Sequence, residues 1–242
     1  MSPPCRILTW DSAFFGRQIG RVDGAHLTPA TAAEALQWAE REGVECLYFL
    51  AASDDPATAE AAEAAGFVLR DVRVTYGWAA QTAPLAPAGA ADAVVRPAAA
   101  ADMPGLEELA RASHGDTRFF FDRQFAPDRA AELYAIWLRQ SFERAGGVVL
   151  VPELVGRAAG YITCGVGDGR GEIGLVGLAP HARGRGLGGQ MVAAAQRWFR
   201  EQGAERVTVV TQGRNVAAQR LYQRAGFVTD RVEIWYHRWF SR

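Results

Sequence analysis

Slid against itself by 160 residues, the chain matches without a gap. Trp38 answers Trp198, Gly43 answers Gly203 and Glu45 answers Glu205; Ala65-Gly66-Phe67-Val68, with Val72 and Tyr76, answers Ala225-Gly226-Phe227-Val228, with Val232 and Tyr236. A fixed-offset match is the mark of one supersecondary unit used twice. Each copy reads helix, strand, helix, strand. The first helices are expected over Pro29–Glu42 and Gly186–Glu201, the short strands over Cys46–Ala51 and Arg206–Thr211, the second helices over Pro56–Ala65 and Asn215–Arg224, and the long strands over Phe67–Trp78 and Phe227–Arg238. Independent use of an ordinary helix-glycine-strand corner is the alternative explanation, and it leaves the same elements. The copies differ in chemistry: Asp23-Gly24-Ala25-His26 stands opposite Arg183-Gly184-Arg185-Gly186, and Ala62 opposite Tyr222.

Around the repeat, strands are expected at Ile7–Trp10 and Gln18–Val22 in the first half. In the second half a strand at Val94–Arg96 and a helix at Asp102–Ala112 precede an aromatic loop. A longer helix follows, its buried stripe marked by Tyr134, Trp137, Leu138, Ser141 and Phe142. Strands Val148–Glu153, Ala159–Val166 and Glu172–Leu178 come next. Between Ala79 and Ala93 the composition collapses to AAQTAPLAPAGAADA, which has no periodicity and reads as a semi-rigid spacer. Two domains are therefore expected, 1–80 and 93–242, joined by a linker at 81–92; a length of 242 residues allows it.

Composition narrows the chemistry. All 26 basic residues are arginine, so a Walker A loop, a Schiff-base lysine and a kinase lysine drop out together. A formal charge of -1 gives no footprint for nucleic acid. Cys5, Cys46 and Cys164 lack metal or disulfide spacing, so no metal site is expected and a reducing cytoplasm fits. No apolar run approaches the ~20 residues of a membrane span, and a protein that does not bind membranes is expected.

The richest local signal follows the strand Glu172–Leu178, where Arg183-Gly184-Arg185-Gly186-Leu187-Gly188-Gly189 leads into Met191, Val192, Ala195, Trp198 and Phe199 at helical spacing. Helix-opening amides lack internal partners and the helix dipole favours anions there, while glycines let the backbone approach phosphate oxygens and arginines add charge. A pyrophosphate fits this turn. Gly184, Gly186 and Gly189 also satisfy GxGxxG, but a proline loop separates them from their strand. The next strand ends Val210-Thr211-Gln212 without the acidic residue a dinucleotide site needs. A purely structural glycine turn is the third reading.

Arg183-x-x-Gly186-x-Gly188 after Pro180 resembles the coenzyme A pyrophosphate loop of the GNAT superfamily. Asn215-x-x-Ala218-x-x-Leu221-Tyr222-x-x-x-Gly226-Phe227 resembles that superfamily's second motif. Further segments, Leu8-Thr9-Trp10-Asp11-Ser12-Ala13-Phe14-Phe15-Gly16, Thr117-Arg118-Phe119 and Tyr134-Ala135-x-Trp137, are similar to members that acetylate the 4-amine of a dTDP-linked amino-deoxysugar. The resemblance implies an α/β (α+β) GNAT fold with a mixed central sheet, preceded by a truncated GNAT-like subdomain. It also implies acetyl-CoA as cosubstrate, bound by Val176, Gly177, Leu178, the run Arg183 to Gly189, Asn215 and Tyr222. The partner it implies is a small acceptor, a nucleotide-linked amino sugar; a homodimer is compatible.

Acyl transfer from a thioester to an amine needs a free amine, a stabilised oxyanion and a proton for the departing thiolate. Tyr222 is the expected general acid, sharing a helix face with Asn215 seven residues earlier, a role the resemblance also implies. A peptide N–H of Val176 or Leu178 is expected to polarise the carbonyl, on a strand splayed with help from Gly174 and Gly177. Glu172 stands where lysine-acetylating members keep a general base; a solvated strand-end charge is the plainer reading. The loop His114 to Asp122 is expected to form an acceptor lid. In it Arg118 binds phosphate, with Phe119, Phe121 and Asp122 beside the acceptor; closing the core is the other reading of its phenylalanines. A peptide or small-amine acetyltransferase, and a silent coenzyme A sensor, remain the alternatives.

Overall fold

In the computed structural model residues 5–81 and 94–240 are described, and among them eight helices and eleven strands form. In chain order these are β1 (Cys5–Ile7), α1 (Thr9–Phe15), β2 (Ile19–Val22), α2 (Pro29–Arg41), β3 (Cys46–Ala52), α3 (Pro56–Ala64) and β4 (Val68–Ala79). After them come β5 (Val95–Pro97), α4 (Met103–Ser113), α5 (Arg118–Phe121), α6 (Pro127–Glu143), β6 (Gly147–Leu154), β7 (Arg157–Ala158), β8 (Gly160–Gly167) and β9 (Arg170–Leu178). The chain closes with α7 (Leu187–Glu201), β10 (Arg206–Gln212), α8 (Val216–Arg224) and β11 (Val228–Trp239).

The repeat is carried into structure with its offset intact: β3 and β10, α3 and α8, and β4 and β11 begin and end 160 residues apart. The punctuation explains it. Gly43 and Gly203 follow the first helices with φ of 65° and 73°, and Gly66 and Gly226 follow the second with φ of 78° and 85°, a region only glycine enters freely. Asp55 and Asn215 cap the second helices, each accepting a backbone N–H on its side-chain oxygen.

Compactness divides the chain differently from the expected boundary, most of which lies outside the described residues. One unit gathers the chain up to Arg73, Thr117–Phe125 and the chain from Val232; the other gathers Val74–Asp116 and Ala126–Arg231. The reason is an exchange of last strands. In the first unit β11 lies antiparallel to β3, and Phe240 N–H donates to the Glu45 carbonyl at 3.0 Å. In the second, β4 neighbours β10, and Ala80 N–H donates to the Glu205 carbonyl at 2.9 Å. The two bonds are images of each other under the repeat.

In the first unit β1, β2, β3 and β11 form a mixed sheet, with β2 parallel to β3. One face is apolar. Leu47, Phe49, Ala51 and Tyr236 pack there with Ala35, Trp38, Ala39, Ala61 and Phe67 of the helical side. Each large side chain removed from water contributes roughly 1.5–3 kcal/mol. Residue 20 must be glycine, because a Cβ there would lie 2.9 Å from the Trp38 ring.

In the second unit β6, β8 and β9 form an antiparallel meander with β5 at the edge, and β10 joins β9 in parallel. Helices α4 and α6 pack on each other. Met191, Val192, Ala195 and Phe199 give α7 its buried stripe.

Three local expectations fail. Thr9–Phe15 is a helix, so Trp10 does not end a strand; Gly16 closes it at φ 63°. The lid loop carries the short helix α5, because Phe120, Phe121 and Asp122 amides find carbonyls three and four residues back. The short strand β7 was not expected.

Candidate active site

Strands β9 and β10 are paired only at their beginnings, from Arg170 opposite Arg206 to Ile173 opposite Val209. Beyond that point β9 stays with β8, where Ile162 faces Val176 and Cys164 faces Ile173. Gly174 and Leu175 therefore stand opposite the single residue Thr163, a β-bulge that bends β9 away from β10. Thr163 holds the bulge: its Oγ1 accepts the Leu175 N–H at 2.8 Å, and a Cβ on Gly174 would fall 2.8 Å from the same oxygen. The expected splay is thus present, and Gly174 is required by space.

The amides of the splayed strand alternate in direction. Ala179 N–H donates to the Ala159 carbonyl on the β8 side, so Gly177 also faces β8, and the N–H groups of Val176 and Leu178 point to the side β10 has left. These are the two donors expected from the sequence. Arg183 Nε reaches the Leu178 carbonyl at 3.2 Å, tying the turn to the strand.

The turn itself is built for an anion. Gly184 and Gly186 have φ of 73° and 78°, and Gly186 opens α7 with no side-chain cap, leaving the first amides to a ligand. Arg183, Gly184 and Arg185 are exposed while Leu187 is buried as an anchor. Gly188 permits helix contact, a Cβ there coming 3.4 Å from Leu221. Gly189 lies in the first turn of α7. These residues fit a coenzyme A diphosphate.

Asn215 stands at the head of α8 and Tyr222 lies within that helix. Asn215 is the cap of α8, its Oδ1 accepting Ala218 N–H at 3.0 Å, which leaves its amide N–H groups as donors. Tyr222 is 3% exposed and its ring lies 6.1 Å from Tyr76 and 6.0 Å from Phe227. Burial pushes its phenol above the ordinary range, so it keeps its proton.

Glu172 is exposed and borders a cleft of about 410 Å³ with Thr163, Gly174, Trp137, Ser141 and Arg144. One step along the same sheet face stands a pair the sequence barely signalled. His114 Nε2 lies 2.8 Å from the Tyr161 hydroxyl, its ring stacks 4.3 Å from Tyr134, and burial lowers its pKa to about 4, leaving it neutral. Tyr161 presses on β9: a Cβ on Gly177 would come 2.6 Å from its ring.

The expected acceptor residues fall in the other compact unit. Phe121 is 51% exposed, but Phe119 and Asp122 are buried. Asp122 Oδ2 receives His237 Nδ1–H at 2.6 Å and Trp239 Nε1–H at 2.8 Å, with Arg70 Nε 3.3 Å away. That carboxylate anchors the 117–125 segment. Phe119 packs against Phe15 and Phe125, as the core-closing alternative for these phenylalanines has it. Arg118, half-buried, gives Nη1–H to His237 Nε2 at 2.8 Å. His237 and Trp239 carried no sequence signal, since their partner lies more than 110 residues away.

The sequence pattern of the acetyltransferase (GNAT) family matches residues 106–227, half of the chain. The chain belongs to that family, a class of acyl-transferring enzymes. Among particular relatives, it is 29% identical to dTDP-fucosamine acetyltransferase of Escherichia coli O6:H1, over 96% of both chains. It is 30% identical to spore coat polysaccharide biosynthesis protein SpsD of Bacillus subtilis, over 57% of this chain and 48% of that one, so it spans about half of that relative's length. The fold is similar to that of a GCN5-related N-acetyltransferase from Sphaerobacter thermophilus, with a TM-score of 0.72 at 17% identity, covering 97% of this chain and 76% of that one.

Proposed function

We propose that this protein transfers an acetyl group from acetyl-CoA to the amine of a nucleotide-linked amino-deoxysugar. The cofactor half of the reading is supported by one arrangement: a glycine turn opening α7 beside two strand amides that face a gap left by β10. The acceptor half is supported by the near full-length match to a protein named for a dTDP-linked amino sugar.

Bound acetyl-CoA supplies the activated acyl group as a thioester. Amides at the head of α7, with Arg183 and Arg185, hold the diphosphate, and the free amide of Asn215 is placed to orient the pantetheine arm. The Val176 and Leu178 N–H groups are donors for negative charge developing on the carbonyl oxygen. Tyr222 Oη gives its proton to the leaving sulfur, for which burial keeps it protonated. Glu172, which borders the cleft, takes a proton from the amine.

The test is thiol release from acetyl-CoA across dTDP-linked amino sugars, polyamines and peptides. The expected outcome is turnover with the 4-amino sugars, lowered at least about tenfold by Tyr222→Phe with little change in coenzyme affinity. Activity confined to peptides rejects the acceptor, and unaltered turnover in Tyr222→Phe rejects the acid.

A further inference from the structure

The second face of the sheet in the first unit is cationic and aromatic. Arg6 of β1 stands opposite Arg21 of β2, Arg21 opposite Tyr48 of β3, and Tyr48 opposite His237 of β11, so the row shares one face. Trp235, two residues from His237, lies on that face too. The guanidinium carbon of Arg21 is 5.2 Å from the Trp235 ring centre and that of Arg118 is 4.4 Å from it. Two positive charges thus lie within about 10 Å of each other, no more than a screening length. Arg73 joins them through its 3.0 Å bond to Glu233 on the same strand face.

The counter-charges are few. Arg6 pairs with Asp23 and Arg73 with Glu233, while Arg118 bonds a neutral imidazole. Asp11 of α1 is the remaining carboxyl within reach; burial raises its pKa, and Arg118 and Arg21 pull it back. Arg21 makes no ion pair with a carboxylate among the described residues. Burial, then the charges of Arg6, Arg118 and Arg73, lower its pKa.

A fold gains nothing from crowding Arg21 and Arg118 without a carboxylate ion pair to either among the described residues; the arrangement lowers the free energy of an arriving anion instead. A guanidinium set over an indole keeps its charge and a fork of N–H donors for phosphoryl oxygens, in Arg118 those that His237 does not take. One phosphate satisfies one such fork, and two forks this close suit two linked phosphoryl groups.

We propose that this face of the first unit is an anion site that takes a diphosphate, carried by a nucleoside diphosphate. Naming the nucleotide rests on the amino-sugar reading; the anion site rests on the arginine geometry. The segments around Asp11 and Arg118 then share one purpose in bordering it.

Calorimetric titration of the full chain with dTDP, inorganic pyrophosphate and coenzyme A separates the sources. In the wild type both dTDP and pyrophosphate bind, and Arg21→Gln weakens both at least about tenfold while leaving coenzyme A affinity unchanged. Arg6→Gln, on an exposed residue, weakens them in the same direction and guards against misfolding of the first variant. Unchanged dTDP binding in folded Arg21→Gln, or a loss confined to coenzyme A, overturns the site. Loss of pyrophosphate binding in Arg21→Gln from a protein inactive on every amino sugar upholds the site and rejects the nucleotide-sugar reading. Amino-sugar turnover with an unchanged KM in Arg21→Gln does the reverse.

Discussion

At Asp122, one buried carboxylate oxygen receives an imidazole N–H and an indole N–H, and the Arg70 guanidinium stands nearby. The imidazole is His237, fully buried, its pKa lowered to about 4 by burial first, with the Asp122 bond opposing and the Arg118 charge adding. Between pH 6.5 and 4 the unfolded chain therefore binds a proton that the folded one refuses. Stability is complete above 6.5 and falls as the pH drops, by up to about 1.4 kcal/mol per unit for each such site. His114 adds in the same sense. Thermal midpoints are expected to decline steadily from pH 6.5 to 4, and less steeply in His237→Gln; a flat profile in the wild type refutes the assignment. The sequence marked Asp122 but not its partners. Its neighbours Phe119 to Phe121 suggested a lid, whereas its partners on β11 are brought to it only by tertiary folding.

Elements were most legible where glycine and proline punctuate them. Pro29 and Pro56 open α2 and α3, and Gly43, Gly66, Gly203 and Gly226 follow helices, so bounds there were read within a residue or two. The first segment failed because Leu8 to Phe15 mixes apolar and polar residues in a way compatible with either period, and Gly16 alone revealed its helical end. The splay of β9 was anticipated from Gly174 and Gly177; its holder, Thr163, was not, since a hydroxyl on a neighbouring strand has no signature of its own. Gly177→Ala drives a Cβ into the Tyr161 ring at 2.6 Å. A cost of about 1–3 kcal/mol in stability is expected, with weaker acetyl-CoA binding because the Val176 and Leu178 amides shift. Thermal melts and titration check this, and adding Tyr161→Leu is expected to restore part of both.

For the whole molecule, compactness follows strand pairing across the repeat. The repeat exchanges its last strands, so each unit holds a strand from the other copy. A fragment of residues 93–242 keeps β10 without β4 and β11 without β3, leaving sheet edges unpaired. It is expected to aggregate on expression, while the full chain melts cooperatively; a soluble fragment with a sharp melt contradicts the exchange. The account stands or falls on the glycine turn at the head of α7. Titration of acetyl-CoA into the full chain is predicted to give one coenzyme per chain. Folded Gly186→Val, forced to hold a φ of 78° that β-branched residues resist, is predicted to bind at least about tenfold more weakly. Equal affinity in the two proteins, or no uptake by the wild type, contradicts it.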